Sequence, residues 1–186
     1  MSTSNDKAGR AAVYERHAPA IRAYAARRVE PSAVDDIVAE TFAIAWRRLP
    51  SSGDELPWLY GVARRVVHGH RRSYSRRSAL LTRLMSRGDA GTGPPDPAEL
   101  VDGDPVLARA FATLSERERE AICLVAWEGL SHPEAATVTD CSPATFAVRL
   151  SRAKSRLAAA LEAQAEVPSR AEPPARAQTL TVETHP

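Results

Sequence analysis

An apolar stripe between Val34 and Leu49 constrains the fold of this chain more than any other feature. Its side chains recur at steps of three and four residues, the spacing that brings them to one side of an α-helix. Ser32 with Asp35 has the pattern of a capping pair at the start of this helix, and Pro50 ends it. The stripe consists of Val34, Ile37, Val38, Thr41, Phe42, Ala45, Trp46 and Leu49.

Similar spacing predicts helices on both sides of the stripe, over about residues 11–29 and from about Leu56 to Ser86. Farther along, a short apolar stretch, two Ser-x-x-Glu capping boxes and a Ser-Pro start mark four more helices. These signals stand at Val106–Thr113, Ser115–Glu118, Ser131–Glu134 and Ser142–Pro143. Because aromatic residues make up only 5% of the chain and strand patterns are scarce, we predict an all-α fold.

The segment 88–105 divides these helices into two groups. It is rich in Gly and Pro, contains five acidic residues and no basic one, and is too polar to bury a core of its own. We therefore predict two small helical domains, residues 11–87 and 106–163, joined by a flexible acidic linker. The Pro-rich residues 164–186 are expected to form a disordered tail.

The formal net charge of +2 conceals a strong segregation of charge along the chain. Between Glu55 and Asp89 there are eight arginines and no acidic residue. A surface of one sign suits a polyanion such as nucleic acid, whereas an ordinary solvated helix face mixes both signs. Binding to nucleic acid is therefore the favoured interpretation.

Near the C-terminus, a short helix, a tight turn and a longer helix have the outline of a helix-turn-helix. In the longer helix Phe146 and Leu150 keep the spacing of core residues. Arg149 and Arg152 project elsewhere, where they could reach phosphates and guanine edges. A charged surface helix is the competing interpretation, and the capped helix and turn before it favour DNA binding.

Two parts of the chain resemble one known family. The stretch from Leu114 to Leu157, with LSEREREAICLVAWEGLSHPEAA and CSPATFAVRLSRAKSRL, is similar to region 4 of the extracytoplasmic-function (ECF) sigma factors of RNA polymerase. The stretches YERHAPAIRAY, VDDIVAETF and PWLYGVAR, which begin at Tyr14, Val34 and Pro57, resemble region 2 of that family. The Arg- and Ala-rich style resembles its actinobacterial members. The resemblance implies a factor that binds polymerase core, recognises and melts promoter DNA, and starts transcription.

For the Val34–Leu49 helix the resemblance implies docking on the clamp helices of the largest polymerase subunit, while region 4 would meet the flap of the second-largest subunit. The implied core-binding residues are Asp35, Asp36, Ala39 and Glu40. Asp36 and Glu40 are four residues apart, so they share a helix face and could meet basic partner residues together. Ala39 stands where the family commonly has Gln, so one polar contact is expected to be absent.

The helix after Pro50 would melt and hold the −10 promoter element. Separated strands require cations for the backbone and planar groups for unstacked bases. The implied residues are Trp58, Arg64, Arg65, His68, Arg71, Arg72 and Arg76. Trp58 could stack on a base or belong to the core, and the core is favoured. Arg65 and Gly69 replace an Asn and an Asp common in the family, which leaves the −10 preference open.

The −35 element would be read by the helix that starts at Ser142. The implied residues are Ser142, Ala144, Thr145, Val148, Arg149 and Arg152. Ala147 and Val148 are apolar where many relatives carry Arg or a polar residue, so the base preference does not carry over. Thr139 and Asp140 replace the usual Leu-Gly of the turn, which requires Asp140 to adopt a left-handed conformation that Asp tolerates at modest cost.

Catalysis, cofactors and metals find no support in the sequence. It has no Gly-rich phosphate loop and no nucleophile elbow, and His68 and His70 would point to different helix faces. Cys123 and Cys141 fit no metal-ligand spacing and are too few for a disulfide framework. Because there is no secretory signal and no apolar run of about 20 residues, we expect a cytoplasmic protein, associated with the nucleoid through RNA polymerase.

Two other interpretations stand beside a sigma factor. A stand-alone helix-turn-helix transcriptional regulator would bind promoters without polymerase, but it has no use for the acidic face of the Val34–Leu49 helix. A DNA-modifying enzyme would need a catalytic cluster that the sequence lacks. Because many ECF sigma factors are held inactive by a dedicated anti-sigma factor, the resemblance also allows for a partner of that kind.

Overall fold

A computed structural model of the chain describes residues 2–48, 55–85 and 104–165. These residues form seven α-helices and one 3-10 turn and contain no β-strand, so the predicted all-α fold is confirmed. The helices are α1 (Ser2–Ala26), α2 (Val34–Arg48), α3 (Glu55–Met85), α4 (Pro105–Ala112), α5 (Glu116–Ala126), α6 (His132–Val138) and α7 (Pro143–Ala165). Nearly all of the predicted linker and tail lies outside the described residues.

Helices α1, α2 and α3 form the N-terminal unit, whose core lies where the three helices meet. Six of the eight residues of the α2 stripe are buried, and Ile37, Val38 and Phe42 among them are at most 2% exposed, whereas Leu49 lies outside the described residues. Ile21 of α1 and Leu59 of α3 are fully buried in the same cluster. Burying side chains of this size stabilises the fold by about 1.5–3 kcal/mol each, which explains why the stripe determines the orientation of α2.

Three details of this unit differ from the sequence-based prediction. Helix α1 begins at Ser2, well before the predicted residue 11. Ser32 lies inside the 3-10 turn Pro31–Ala33, and Asp35 contacts Arg22 of α1 instead of forming a capping pair with Ser32. Trp46 is 42% exposed, because it lies about 100° around the helix from the buried Ala45, at the edge of the stripe.

Helices α4 to α7 form the C-terminal unit, and their ends carry the predicted caps. The Ser115 amide donates to Glu118 Oε2 at 3.0 Å before α5, and the Ser131 amide donates to Glu134 Oε2 at 2.7 Å before α6. Both capping boxes are therefore confirmed. Each satisfies amide groups that the first turn of a helix would otherwise leave without partners.

The two units pack against each other and share one hydrophobic core. Helix α3 lies against α6, and the buried cluster continues from Val67 of α3 to Val138 of α6 and Phe146 of α7. Gly61 of α3 lies against the backbone of α6, where an added Cβ would be in ordinary van der Waals contact, 3.8 Å from both the Cα and the carbonyl oxygen of Val138. The units that the sequence predicts as tethered domains are thus in direct contact.

Candidate polymerase and promoter interfaces

The outer face of α2 carries the four residues predicted to contact polymerase core. Asp35, Asp36, Ala39 and Glu40 are all exposed, because the buried stripe occupies the opposite side of the helix. Asp35 pairs with Arg22, and this hydrogen bond and its charge raise the pKa of the arginine. The structure therefore places the four on one surface, and their role stays a prediction.

Trp46 extends this surface. Its spacing in the sequence predicts a position in the core, and that prediction is wrong. It lies seven residues after Ala39, which is two helical turns along the same face. Exposed indoles are enriched at protein interfaces because they bury a large apolar area on binding. Its position at the edge of the apolar stripe, immediately before Arg47 and Arg48, is the sequence signal that could have indicated exposure.

The residues predicted to hold the −10 element lie on α3, where all of them except Trp58 line one wide concavity together with Glu116. One group of three is exposed, and the other group of three is half-buried against the C-terminal unit. The exposed residues are Arg65, Arg72 and Arg76, and the half-buried ones are Arg64, His68 and Arg71. Trp58 packs against the hydrophobic core, in agreement with the favoured interpretation.

Arg64 makes a two-point contact with Glu120 of α5. Its Nε and Nη2 donate to Oε1 and Oε2 of that carboxylate at 2.6 and 3.0 Å. Burial alone would lower the pKa of Arg64, but the hydrogen bond and the charge of Glu120 outweigh it and raise that pKa. Such a planar, charge-assisted pair fixes both orientation and distance.

Glu116 lies one turn before Glu120 and faces two further side chains of α3, His68 and Arg71. Its Oε1 is 3.8 Å from His68 Nδ1 and 3.9 Å from Arg71 Nη1. Burial, and then the charge of Arg64, lowers the pKa of His68 below its ordinary value. The half-buried arginines of α3, Arg64 and Arg71, therefore lie beside acidic side chains of α5.

Glu128, just after α5, is the buried centre of the contact between the units. Its side chain is 1% exposed and accepts hydrogen bonds from Arg27 Nη2 at 2.5 Å and Arg28 Nη1 at 3.0 Å. The Arg28 guanidinium also lies 3.6 Å from the centroid of the Tyr24 ring. Sequence reasoning did not identify this cluster, because Glu128 and Arg28 are 100 residues apart and no periodic pattern connects them.

Five of the six residues predicted to read the −35 element line a shallow concavity on the C-terminal unit. It lies between the start of α5 and the first turns of α7. Its lining residues are Ser115, Arg117, Glu118, Ala144, Thr145, Val148, Arg149 and Arg152. Val148 is 51% exposed, which suits contact with a thymine methyl group. Arg117 is a cation at this surface that sequence reasoning did not single out.

The turn before α7 has the predicted backbone geometry. Asp140 has φ of +53°, so the left-handed conformation expected of it is confirmed. Ser142, the sixth predicted −35 residue, caps α7, and its Oγ accepts a hydrogen bond from the Thr145 amide at 3.1 Å. The cap and the turn together direct the start of α7 toward solvent beside the concavity.

Among the described residues, no cluster of His, Cys, Asp and Glu has the arrangement of a metal site. Cys123 and Cys141 are both free thiols. Burial raises the pKa of the Cys123 thiol to about 11, as expected for an unreactive packing residue. No helix in the described part of the chain is both long enough and apolar enough to cross a membrane.

A helix-turn-helix beside a basic helix, on an all-helical fold, defines a class of protein that binds DNA. Comparison with family models identifies the class more closely: sigma-70 region 2 matches residues 13–77, and sigma-70 region 4 matches residues 106–157. The chain belongs to the ECF group of RNA polymerase sigma factors, which direct transcription initiation. A stand-alone regulator is therefore not supported.

Three similar proteins illustrate this relationship. The RNA polymerase sigma factor CnrH of Cupriavidus metallidurans is 33% identical over 144 residues, which cover 72% of this chain and 75% of CnrH. The ECF sigma factor SigC of Mycobacterium tuberculosis is 33% identical over 141 residues, covering 69% of this chain and 70% of SigC. The crystallised sigma factor RpoE of Bartonella quintana, in complex with the anti-sigma factor NepR, has a TM-score of 0.54 at 26% identity and covers 78% of this chain and 91% of RpoE. Such a spread of organisms does not support the specifically actinobacterial resemblance.

Proposed function

We propose that this sigma factor binds polymerase core through the outer face of α2 and promoter DNA through α3 and α7. The observation that carries the proposal is the exposure of all four predicted core contacts on one side of α2. Residues 11–87 then act as region 2 and 106–163 as region 4, with 88–105 as linker and 164–186 as tail. The protein acts by binding, not by catalysis, in the cytoplasm at the nucleoid.

The core contact centres on Asp36 and Glu40, one turn apart on α2. Both are exposed, so basic side chains of the clamp helices can pair with them without displacing a partner from the core of the fold. Trp46 adds apolar area at the end of the same surface. Region 4 contacts the flap of the second-largest polymerase subunit.

Promoter DNA is held at two places. Arg65, Arg72 and Arg76, exposed on α3, contact phosphates near the −10 element. At the −35 element, Arg149 and Arg152 of α7 contact phosphates or base edges from the shallow concavity. The two sites lie on one chain, so binding at one raises the effective concentration of DNA at the other.

We also propose a cognate anti-sigma factor as a regulatory partner. RpoE of Bartonella quintana, which shares the fold, was crystallised with its anti-sigma factor NepR. The exposed surfaces of α2 and α3 in this chain provide sites where such a partner could compete with polymerase or DNA.

The core-binding proposal is tested with the double variant Asp36→Arg, Glu40→Arg. Reversing two charges places like charges against the clamp helices, so we expect at least about a tenfold loss of affinity for core polymerase. The affinity of each variant is measured by titrating the labelled full-length chain with purified core polymerase. Co-purification with core tests whether the wild-type chain binds the polymerase at all.

The matched control is Glu15→Arg with Glu162→Arg, which makes the same charge change at exposed positions of α1 and α7. Wild-type core affinity in the α2 variant would refute the docking assignment, and so would an equal loss in the control. Failure of the wild type to co-purify with core would refute the proposed function itself.

A further inference from the structure

We propose that a small cavity between α1, α3 and α5 binds one monovalent anion of about the size of chloride. The cavity has a volume of about 30 Å³, which is room for one small ion or for one or two water molecules. Tyr24, Val67 and Cys123 contribute to its walls, and each is at most 3% exposed. The inference does not depend on the proposed contacts with polymerase or DNA.

The first argument is that two buried N–H donors beside the cavity need an acceptor. Arg28 lines the cavity, and its side chain is only 9% exposed. Its Nη1 donates to the carbonyl oxygen of Tyr24 and to Glu128 Oε1, both at 3.0 Å, whereas Nη2 has no hydrogen-bond partner among the described residues. Arg27 lines the same cavity, and its Nε is likewise buried and without a partner in the described part of the chain. Leaving a buried donor unpaired is costly, so the pair indicates a bound acceptor.

The second argument is that the charges around the cavity favour an anion over a neutral acceptor. The charged residues that line it are Arg27, Arg28, Arg71, Glu116 and Glu120. With their partners Arg64 and Glu128, they amount to four arginines and three carboxylates, an excess of one positive charge. Burial lowers the pKa of His68 and raises that of Cys123 to about 11, so these two lining residues are neutral near neutral pH. One monovalent anion balances the excess.

The third argument is that the carboxylates near the cavity have no acceptor left for a cation. Both oxygens of Glu120 accept hydrogen bonds from Arg64, at 2.6 and 3.0 Å. Both oxygens of Glu128 accept from the two arginines of the turn after α1. The Glu116 side chain is 63% exposed, so water screens its charge. The groups that remain to bind a ligand are guanidinium donors, which have no acceptor function of their own.

Chloride is the probe for this site, and gluconate, a monovalent anion too large for the cavity, is the reference at equal ionic strength. An ion that binds only the folded chain lowers the equilibrium constant of unfolding in proportion to its occupancy. We expect that constant to be at least about threefold lower in about 0.2 M sodium chloride than in about 0.2 M sodium gluconate, as measured by urea titration followed by circular dichroism. The folded chain should also broaden the nuclear magnetic resonance line of chloride in a saturable way.

The variant Arg28→Met removes one of the two unpaired donors, and the chloride effect should vanish with it. Its matched control is Arg22→Met, which removes an arginine whose side chain is 51% exposed on α1 and does not line the cavity. The control should keep the full chloride effect on unfolding and on the resonance line.

Because Arg28→Met also takes a partner from Glu128, a second variant leaves every charge in place. Val67→Ile adds one carbon atom to a wall of the cavity, so we expect it to exclude the ion and abolish the chloride effect. Val38→Ile makes the same change at a residue that is 2% exposed in the core and does not line the cavity. That control should respond to chloride as the wild type does.

Equal stability of the wild type in chloride and in gluconate, without broadening of the chloride line, would overturn the anion site and assign the two donors to bound water. A chloride effect that persists unchanged in Arg28→Met and Val67→Ile would also overturn it, because the ion would then act elsewhere on the chain. Loss of the effect in the cavity variants, with retention in both controls, would support the site.

Discussion

Glu128 shows how one buried carboxylate can join the two units. Its side chain is 1% exposed, and both of its hydrogen-bonding arginines, Arg27 and Arg28, lie in the turn that follows α1. Burial opposes the charge on Arg28, yet Tyr24 and Glu128 outweigh it and raise the pKa of the arginine. The cluster depends on each member, because a buried charge without its partner is costly.

We therefore predict that Glu128→Ala destabilises the chain by about 3–5 kcal/mol, the cost of leaving a buried charge unpaired. The free energy of unfolding is measured by urea titration followed by circular dichroism. Glu116→Ala is the control, since the Glu116 side chain is 63% exposed and surface pairs contribute at most about 1 kcal/mol. Equal losses in the two variants would contradict a central role for Glu128.

At the scale of elements, α7 carries its packing residues and the predicted −35 residues on different faces. Phe146, Leu150 and Ala153 are at most 2% exposed and anchor the helix in the core. Arg149 and Arg152 line the concavity on the other side. Substituting Arg149 or Arg152 should therefore leave the packing of the helix intact.

We predict that Arg149→Ala weakens binding to a duplex carrying a −35 element of a promoter that this factor transcribes. A loss of about 1–3 kcal/mol is expected if Arg149 reads a base edge, and a smaller loss with a reduced salt slope if it contacts a phosphate. Fluorescence anisotropy over a salt series separates the two. Lys154→Ala, an exposed cation outside the concavity, serves as control, and an equal effect there would remove Arg149 from the reading surface.

The caps and turns of this fold could be predicted from the sequence where neighbouring residues alone determine them. The capping boxes at Ser115 and Ser131 and the left-handed Asp140 depend on residues within one turn, and all three are as predicted. The sequence places Trp46 in the buried stripe, which is wrong, because apolar residues at steps of three and four do not show where the buried face of a helix ends. The pairing of Arg64 with Glu120 was not predictable at all, since it depends on how α3 and α5 meet in space.

On the scale of the whole molecule, the contact between the units responds to pH through His68. Burial and the charge of Arg64 lower its pKa, while Glu120 and Glu116 oppose that shift and Arg71 reinforces it. While the two units are packed together, His68 with its lowered pKa contributes its full stability above about pH 6.5, the ordinary pKa of a histidine. That contribution is lost as the pH falls below that value, because a chain whose units have separated binds the proton more readily.

Lowering the pH from about 7.5 to 5.5 should therefore expand the wild-type chain, as measured by its radius of gyration. His68→Gln, which cannot take up a proton, should show a smaller expansion over the same range. An expansion of equal size in both would assign the pH response to other groups, such as the His70–Glu30 pair.

The close packing of α3 on α6 at Gly61 also has a thermal consequence. Separating the two helices would expose apolar surface around Gly61 and Val138, so opening carries a positive change in heat capacity. The free energy that holds the two units together then follows a curve in temperature, and the contact weakens on cooling as well as on strong heating. The two units are therefore expected to be held together most firmly at an intermediate temperature.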